Sequence, residues 1–246
     1  MRKLQDFLTG TQILEEVESP INGKISVIRS LAFGTYISVG GLTQSGGVLK
    51  DIWRKSLRQV QRTKRKVHRC LILGLGGGTA AKLVKEFWPD AKVTGVDIDP
   101  LMVEMGRKYL GLNEIGMEIE IEDAYDYLNQ ESKISPSKRL FSEPEGSLNR
   151  RSRAGGKNQN YKLKIKNYDL ILVDLYIGYK FPKRFEGDYF FELIRKLLTE
   201  NGIAVFNRLY SRDKRPAAVK FGNKLEKIFK KVEIVYPEAN VIYLCF

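Results

Sequence analysis

Apolar and polar positions change their rhythm near residue 48 of this chain. Before that point, Lys24-Ile25-Ser26-Val27-Ile28 and Thr35-Tyr36-Ile37-Ser38-Val39 alternate polar with apolar side chains. Gly34 and Gly40-Gly41 punctuate them, so residues 1–48 read as a small β-rich lead-in. Residues 48–66 suit a basic helix with Val48, Ile52, Leu57 and Val60 loosely spaced on one face. Short apolar runs then alternate with helical patterns. Cys70-Leu71-Ile72-Leu73 predicts a parallel strand buried on both faces. Thr79 to Trp88 predicts a helix closed by Pro89, and Lys92 to Ile98 a second strand. Asp99-Pro100 opens the next helix, with Asp99 as N-cap and proline at the first helical position. Glu118 to Ile121 and Asp169 to Leu175 give a third and a fourth strand. Tyr189 to Leu198 predicts a helix stopped by Asn201-Gly202, followed by a fifth strand, Ile203 to Phe206. After a last helix, about Ala217 to Lys230, the strands Val232 to Tyr236 and Val241 to Phe246 form an edge hairpin around Pro237-Glu238-Ala239-Asn240.

Strands alternating with helices place the chain in the α/β class, with a doubly wound, mostly parallel sheet over residues 49–246 and a C-terminal antiparallel edge hairpin. Ligands of such sheets sit outside the carboxyl ends of the strands. Residues 130–167 break the pattern. Rich in Ser, Pro, Gly, Asn, Lys and Arg and almost without apolar periodicity, they read as an exposed, flexible, basic insertion. A lid and a passive loop both stay open, the passive loop being preferred.

The chain's 246 residues suffice for one large α/β domain with a small appendage. No apolar run approaches the roughly 18 residues that span a bilayer. The start Met1-Arg2-Lys3-Leu4-Gln5-Asp6 is not followed by an apolar signal region. No membrane association is expected, and a cytoplasmic location is. Two cysteines (Cys70, Cys245) and one histidine (His68) leave no disulfide framework, no metal spacing and no well-supported Ser/His/Asp triad. The net charge of +13 is concentrated in Lys50 to Arg69 and in Lys133 to Lys166. Such clusters attract nucleic acid through phosphate contacts. Neither carries a stacking aromatic platform or a nucleic-acid module, so solvation of a helix face and a loop is the preferred reading.

Four elements carry candidate chemistry. Leu73-Gly74-Leu75-Gly76-Gly77-Gly78-Thr79 lies between a strand and a helix, where glycines permit positive φ and close approach of a ligand. About twenty residues on, Asp97 in Val96-Asp97-Ile98-Asp99-Pro100 ends the next strand, where a carboxylate accepts both hydroxyls of a ribose. Glu122-Asp123-Ala124 ends the third strand, where an acid can meet an adenine exocyclic amine; a helix cap is the less favoured reading of Asp123. Asp174 ends the apolar run Leu170-Ile171-Leu172-Val173 at the ligand edge, where uncompensated burial costs free energy; it also suits a cap of the following segment.

On successive strand ends, these elements resemble the class I S-adenosylmethionine-dependent methyltransferase fold, a Rossmann-like domain. Glu18-Ser19-Pro20-Ile21-Asn22-Gly23-Lys24-Ile25-Ser26-Val27 and Gly40-Gly41-Leu42-Thr43-Gln44 resemble its spermidine synthase-like (polyamine aminopropyltransferase-related) branch. The resemblance covers roughly residues 18–128 and 167–210. It implies S-adenosylmethionine or its decarboxylated form as cofactor, held by Gln44, Gly74, Gly76, Gly77, Gly78, Asp97, Ile98, Asp123 and Ala124. Asp97 would take the ribose, and Asp123 with Ala124 the adenine. Asp174 would be the catalytic acid facing the attacking amine. No metal is implied, and pairing of two copies is common in the branch.

The chain also departs from the branch. The acidic pair expected after Gln44 is absent from Ser45-Gly46-Gly47-Val48-Leu49-Lys50. A Tyr-Gln pair appears as Asn22-Gly23, the acid of the glycine loop as Gly77, and a second acid after Asp174 as Ile177. A site that lost these acids and gained Lys50 holds a dication poorly. Methyl transfer to an unnamed acceptor (an amine, a protein or RNA) is therefore expected ahead of aminopropyl transfer to a polyamine. A basic nucleic-acid-associated protein with a vestigial pocket is the reading from another class. A dehydrogenase leaves Asp123 and Asp174 unexplained. The acceptor pocket is expected from the loops after Asp174 and Phe206, with Tyr176, Tyr179 and Asn207.

Overall fold

The computed structural model describes residues 10–133, 167–211 and 213–246. The central part of the expected insertion, 134–166, lies outside the described residues. β1 (Thr11–Ser19), β2 (Gly23–Ser30), β3 (Gly34–Val39) and β4 (Leu42–Gly46) form one antiparallel sheet in chain order. The alternation of β2 and β3 turns Ile25, Val27, Ile37 and Val39 inward, onto Met102 and Met105. β1 and β4 escape a search for alternation. A bulge between Ile13 and Glu15 breaks β1, and β4 is mostly Thr, Gln, Ser and Gly.

The second sheet is built from β5 (Arg69–Leu73), β6 (Lys92–Asp97), β7 (Glu118–Ile121), β8 (Tyr168–Val173), β9 (Leu198–Leu209), β10 (Val232–Val235) and β11 (Asn240–Cys245). Its order is β10-β11-β9-β8-β5-β6-β7. The run from β9 to β7 is parallel. β11 pairs antiparallel with both β9 and β10, which gives the edge hairpin. The helices are α1 (Gly47–Arg62), α2 (Thr79–Phe87), α3 (Pro100–Tyr109), α4 (Ala124–Lys133), α5 (Asp188–Leu197) and α6 (Arg215–Ile228).

Because the central strands are covered on both sides, their alternating side chains feed two apolar layers. Cys70, Ile72, Leu170 and Leu172 pack with Trp53, Leu57 and Val84 on one face. Leu71, Leu73, Ile171 and Val173 pack with Phe190, Phe191 and Phe221 on the other. Each such aliphatic side chain contributes roughly 1.5–3 kcal/mol by leaving water.

Two expected details are corrected. Asn201-Gly202 does not stop a helix: α5 ends at Leu197 and β9 begins at once. The ladder with β8 skips from Tyr168↔Leu198 to Leu170↔Ile203, so these residues sit in a bulge. A Cβ on Gly202 would lie 2.9 Å from the Tyr168 carbonyl oxygen, which is why a glycine sits there. In α1 the buried face is Leu49, Ile52, Trp53, Ser56, Leu57 and Val60, while Val48 is partly exposed. Among the described residues no helix is long and apolar enough to cross a membrane, and no group of His, Cys, Asp or Glu could hold a metal.

Candidate active site

The glycine loop takes its shape from what passes beside it. Gly74 has φ +84°, and a Cβ there would lie 2.2 Å from the carbonyl oxygen of Asp174. Its N–H and that of Leu75 donate to the Val96 carbonyl at 2.9 and 3.0 Å. The ends of β5, β6 and β8 are thereby drawn together. Gly76, at φ +56°, donates its N–H to Asp97 Oδ2 at 2.6 Å. Asp97 Oδ1 accepts the Asp99 N–H at 2.9 Å. Burial pushes the Asp97 carboxyl up to about 6 against these two N–H bonds, and the charge of Asp99 adds to the rise.

A cavity of about 330 Å³ lies over this loop. Gln44, Gly74, Gly76, Asp97, Ile98, Asp123, Ala124 and Asp174 all line it. Gly77 and Gly78 do not. A Cβ on Gly77 would come within 3.0 Å of Ile37, Leu110 and Ser45, and one on Gly78 within 2.5 Å of Leu112. These two glycines let the lead-in sheet and the segment after α3 pack against the loop. An acid at position 77 would require the side chains of Ile37, Leu110 and Ser45 to shift.

Asp174, beside the loop at Gly74, is surrounded by protein; burial raises its carboxyl to about 6, and the charge of Asp97 adds to the rise. Trp53 Nε1 donates to Asp174 Oδ2 at 3.0 Å, and Asn207 Nδ2 donates to Oδ1 at 2.8 Å. Asn240 Nδ2 donates in turn to Asn207 Oδ1 at 2.7 Å. Both oxygens of the carboxylate thus keep a donor, which offsets part of its desolvation. Sequence reasoning missed Trp53 and Asn240: an indole on an apolar helix face and an asparagine in a turn carry no local signal of this role.

Glu238, in the turn between β10 and β11, also lines the cavity. It holds φ +53°, uncommon for a residue with a side chain, and it pairs with Lys55. Lys50, expected to place a positive charge in the site, is exposed on α1 and does not line the cavity. Tyr176 lines the cavity and its hydroxyl accepts the Leu209 N–H at 2.7 Å. Tyr179 is 56% exposed and stands outside.

The lead-in sheet closes one wall. Asp99, fully buried, accepts from Ser19 Oγ at 2.5 Å, Asn22 Nδ2 at 2.7 Å and the Leu101 N–H at 3.0 Å. Its capping role therefore also pins the Ser19–Asn22 turn to α3. Asn22 Oδ1 accepts the Gly178 N–H at 3.2 Å, and Gln44 Nε2 donates to the Gly178 carbonyl at 3.0 Å. The loop after Asp174 is thus held at one residue by two side chains of the lead-in.

The mostly parallel seven-stranded sheet with its antiparallel edge hairpin is that of the class I S-adenosylmethionine-dependent methyltransferase fold, which spermidine synthases share. The spermidine synthase of Thermotoga maritima superposes with a TM-score of 0.68 over 95% of this chain and 72% of its own, at 16% identity. Human methyltransferase-like protein 13, in complex with SAH, superposes with a TM-score of 0.55 over 80% of each chain, at 20% identity. In sequence, the chain is 29% identical to the polyamine aminopropyltransferase of Chromobacterium violaceum over 72% of its length and 56% of the relative's. It is 25% identical to the eEF1A lysine and N-terminal methyltransferase of Mus musculus over 71% of its length and 22% of the relative's. The chain thus spans about half the length of the first relative and less of the second. No family model matches it.

Proposed function

We propose that this chain is an S-adenosylmethionine-dependent transferase whose acceptor is an amine, and that the group transferred is methyl. The observation that carries the reading is the pair of strand-end carboxyls, Asp97 and Asp174, facing one cavity. Both are raised to about 6 and so are ionised at neutral pH.

The residues fit a nucleoside. Each oxygen of Asp97 accepts one backbone N–H, and the same carboxylate can still accept from two ribose hydroxyls. Gly74, Gly76, Ile98, Asp123 and Ala124 line the same cavity, and Asp123 is the acid that would accept an exocyclic amine of the base. The bound cofactor supplies a carbon already activated by a positively charged sulfur. What remains for the protein is alignment and desolvation. Asp174, fixed by Trp53 and Asn207, accepts a hydrogen bond from the acceptor's N–H and aims its lone pair. Ionisation of Asp174 through about pH 6 keeps that hydrogen bond available at neutral pH.

Methyl transfer is preferred because Gly77, Ile177 and the segment after Gln44 lack the acids that hold a diamine in the resembling branch, and because a methyltransferase is among the relatives. One observation favours aminopropyl transfer to a diamine as a second reading. Glu238 brings an acid to the cavity from the turn between β10 and β11, and Lys50 brings no base. Product analysis with a panel of amines tests both readings. S-adenosylhomocysteine formed from S-adenosylmethionine supports the first; methylthioadenosine formed from the decarboxylated cofactor and putrescine selects the second. Neither product, with any amine, refutes both.

A further inference from the structure

Asp123 already has a partner on each oxygen. Oδ1 accepts the Tyr125 N–H at 2.9 Å, and Oδ2 is held by the Arg184 guanidinium. Arg184 belongs to a short 3-10 turn, Lys183–Glu186, that follows the loop after Asp174. Its guanidinium lies 4.7 Å from the centroid of the Phe185 ring. Pro182, Arg184 and Phe185 line the same cavity as Asp123 and Ala124. The two partners differ in setting: the Asp123 side chain is 12% exposed and that of Arg184 51%. The acid is fixed at the cavity wall by its helix, while the arginine reaches it from the solvent side.

We propose that Arg184 competes with the exocyclic amine of the bound base for Asp123, and so sets both the affinity of the cavity and its choice of base. The inference rests on the reading that the base of a nucleoside cofactor sits at Asp123. Oδ2 keeps a second lone pair, but Arg184 lines the same cavity as Asp123, so a base amine at Oδ2 takes the guanidinium's place there and binding exchanges an ion pair for a bond to a neutral donor. The exchange is cheap because Arg184, already half in water, rehydrates easily. It also has an unusual sign with ionic strength. Salt weakens the Arg184–Asp123 pair, so added salt favours the ligand. A 6-oxo base has no amine to offer Asp123 and leaves the pair in place.

The test is calorimetric titration with S-adenosylhomocysteine and with S-inosylhomocysteine, its 6-oxo analogue. Wild type, Arg184→Ala and Arg184→Lys are compared at low and at high salt. Arg184→Ala is expected to bind S-adenosylhomocysteine roughly three- to tenfold tighter than wild type at low salt, the range expected for losing a partly shielded ion pair. The gap closes at high salt, Arg184→Lys restores much of the wild-type affinity, and the 6-oxo analogue gains nothing. Equal or weaker binding of S-adenosylhomocysteine to Arg184→Ala, or an equal gain for both ligands, overturns the inference and leaves the cofactor reading standing. Failure of every chain to bind S-adenosylhomocysteine overturns both.

Discussion

The glycine-loop part of the cavity wall and its Asp174 part are assembled differently. At the first, Gly74, Gly76, Asp97 and Asp123 lie at a strand end or within three residues of one, and most of the bonds that set the two acids come from backbone N–H groups of the strand-end loops: Gly76 to Asp97, Asp99 to Asp97, Tyr125 to Asp123, with the Arg184 side chain added at Asp123. At the second, Asp174 is held by Trp53, 121 residues away, and by Asn207, 33 residues away, with Asn240 behind the latter. A site set by backbone turns is fixed once the sheet forms. A site set by side chains from separate elements can change by substitution without disturbing the fold. On the proposed reading, the first part binds what relatives share and the second is where acceptors diverge.

That contrast breaks most visibly at Asp174. Asp174→Asn is expected to lower turnover by about a hundred- to ten-thousandfold, the range for a positioned acid or base, with cofactor affinity by calorimetry nearly unchanged. In the other part, Asp97→Ala reverses the pattern. Losing two charge-assisted hydrogen bonds of about 1.5–3 kcal/mol each weakens cofactor binding by roughly a hundredfold or more.

A pH series sharpens the comparison further. The rate rises as pH increases through about 6, where Asp174 ionises. Trp53→Phe removes a donor to the charged form and moves this limb to higher pH. Stability carries the opposite sign. Because the folded carboxyl titrates near 6 rather than at 3.8, wild type loses stability relative to Asp174→Asn as pH rises from about 4 to about 6. The difference is flat above that window, and thermal unfolding of both chains across it checks the direction. The smallest effect is expected at Glu238. Glu238→Gln leaves methyl transfer within about twofold, a partly exposed ion pair being worth little, whereas a diamine acceptor would lose binding.

The sheet and the strand-end acids were legible because buried parallel strands announce themselves as apolar runs and their ends fall at fixed places. What was misread depended on helix phase or on contacts remote in sequence. Trp53 looks like any core aromatic until α1 is docked over β8. Lys50 lies close to Gln44 in sequence but faces out on α1. Gly77 is packed closely by the side chains of Ile37 and Leu110, which no spacing rule conveys. Asn201-Gly202 has the chemistry of a helix stop and serves as a strand bulge, because the Tyr168 carbonyl passes so close. Part of the basic charge of α1 and of the segment after it is paired within the chain, at its surface. Arg54 pairs with Glu86, Lys55 with Glu238, and Arg65 donates to the Asn201 carbonyl.

The most direct measurement is calorimetric titration of wild type and Asp97→Ala with S-adenosylmethionine and with its decarboxylated form. The account predicts saturable binding of S-adenosylmethionine, preferred over the decarboxylated form and weakened by roughly two orders of magnitude in Asp97→Ala. Preference for the decarboxylated form would contradict methyl transfer. Absence of binding to either, or equal binding to both chains, would contradict the cofactor site itself.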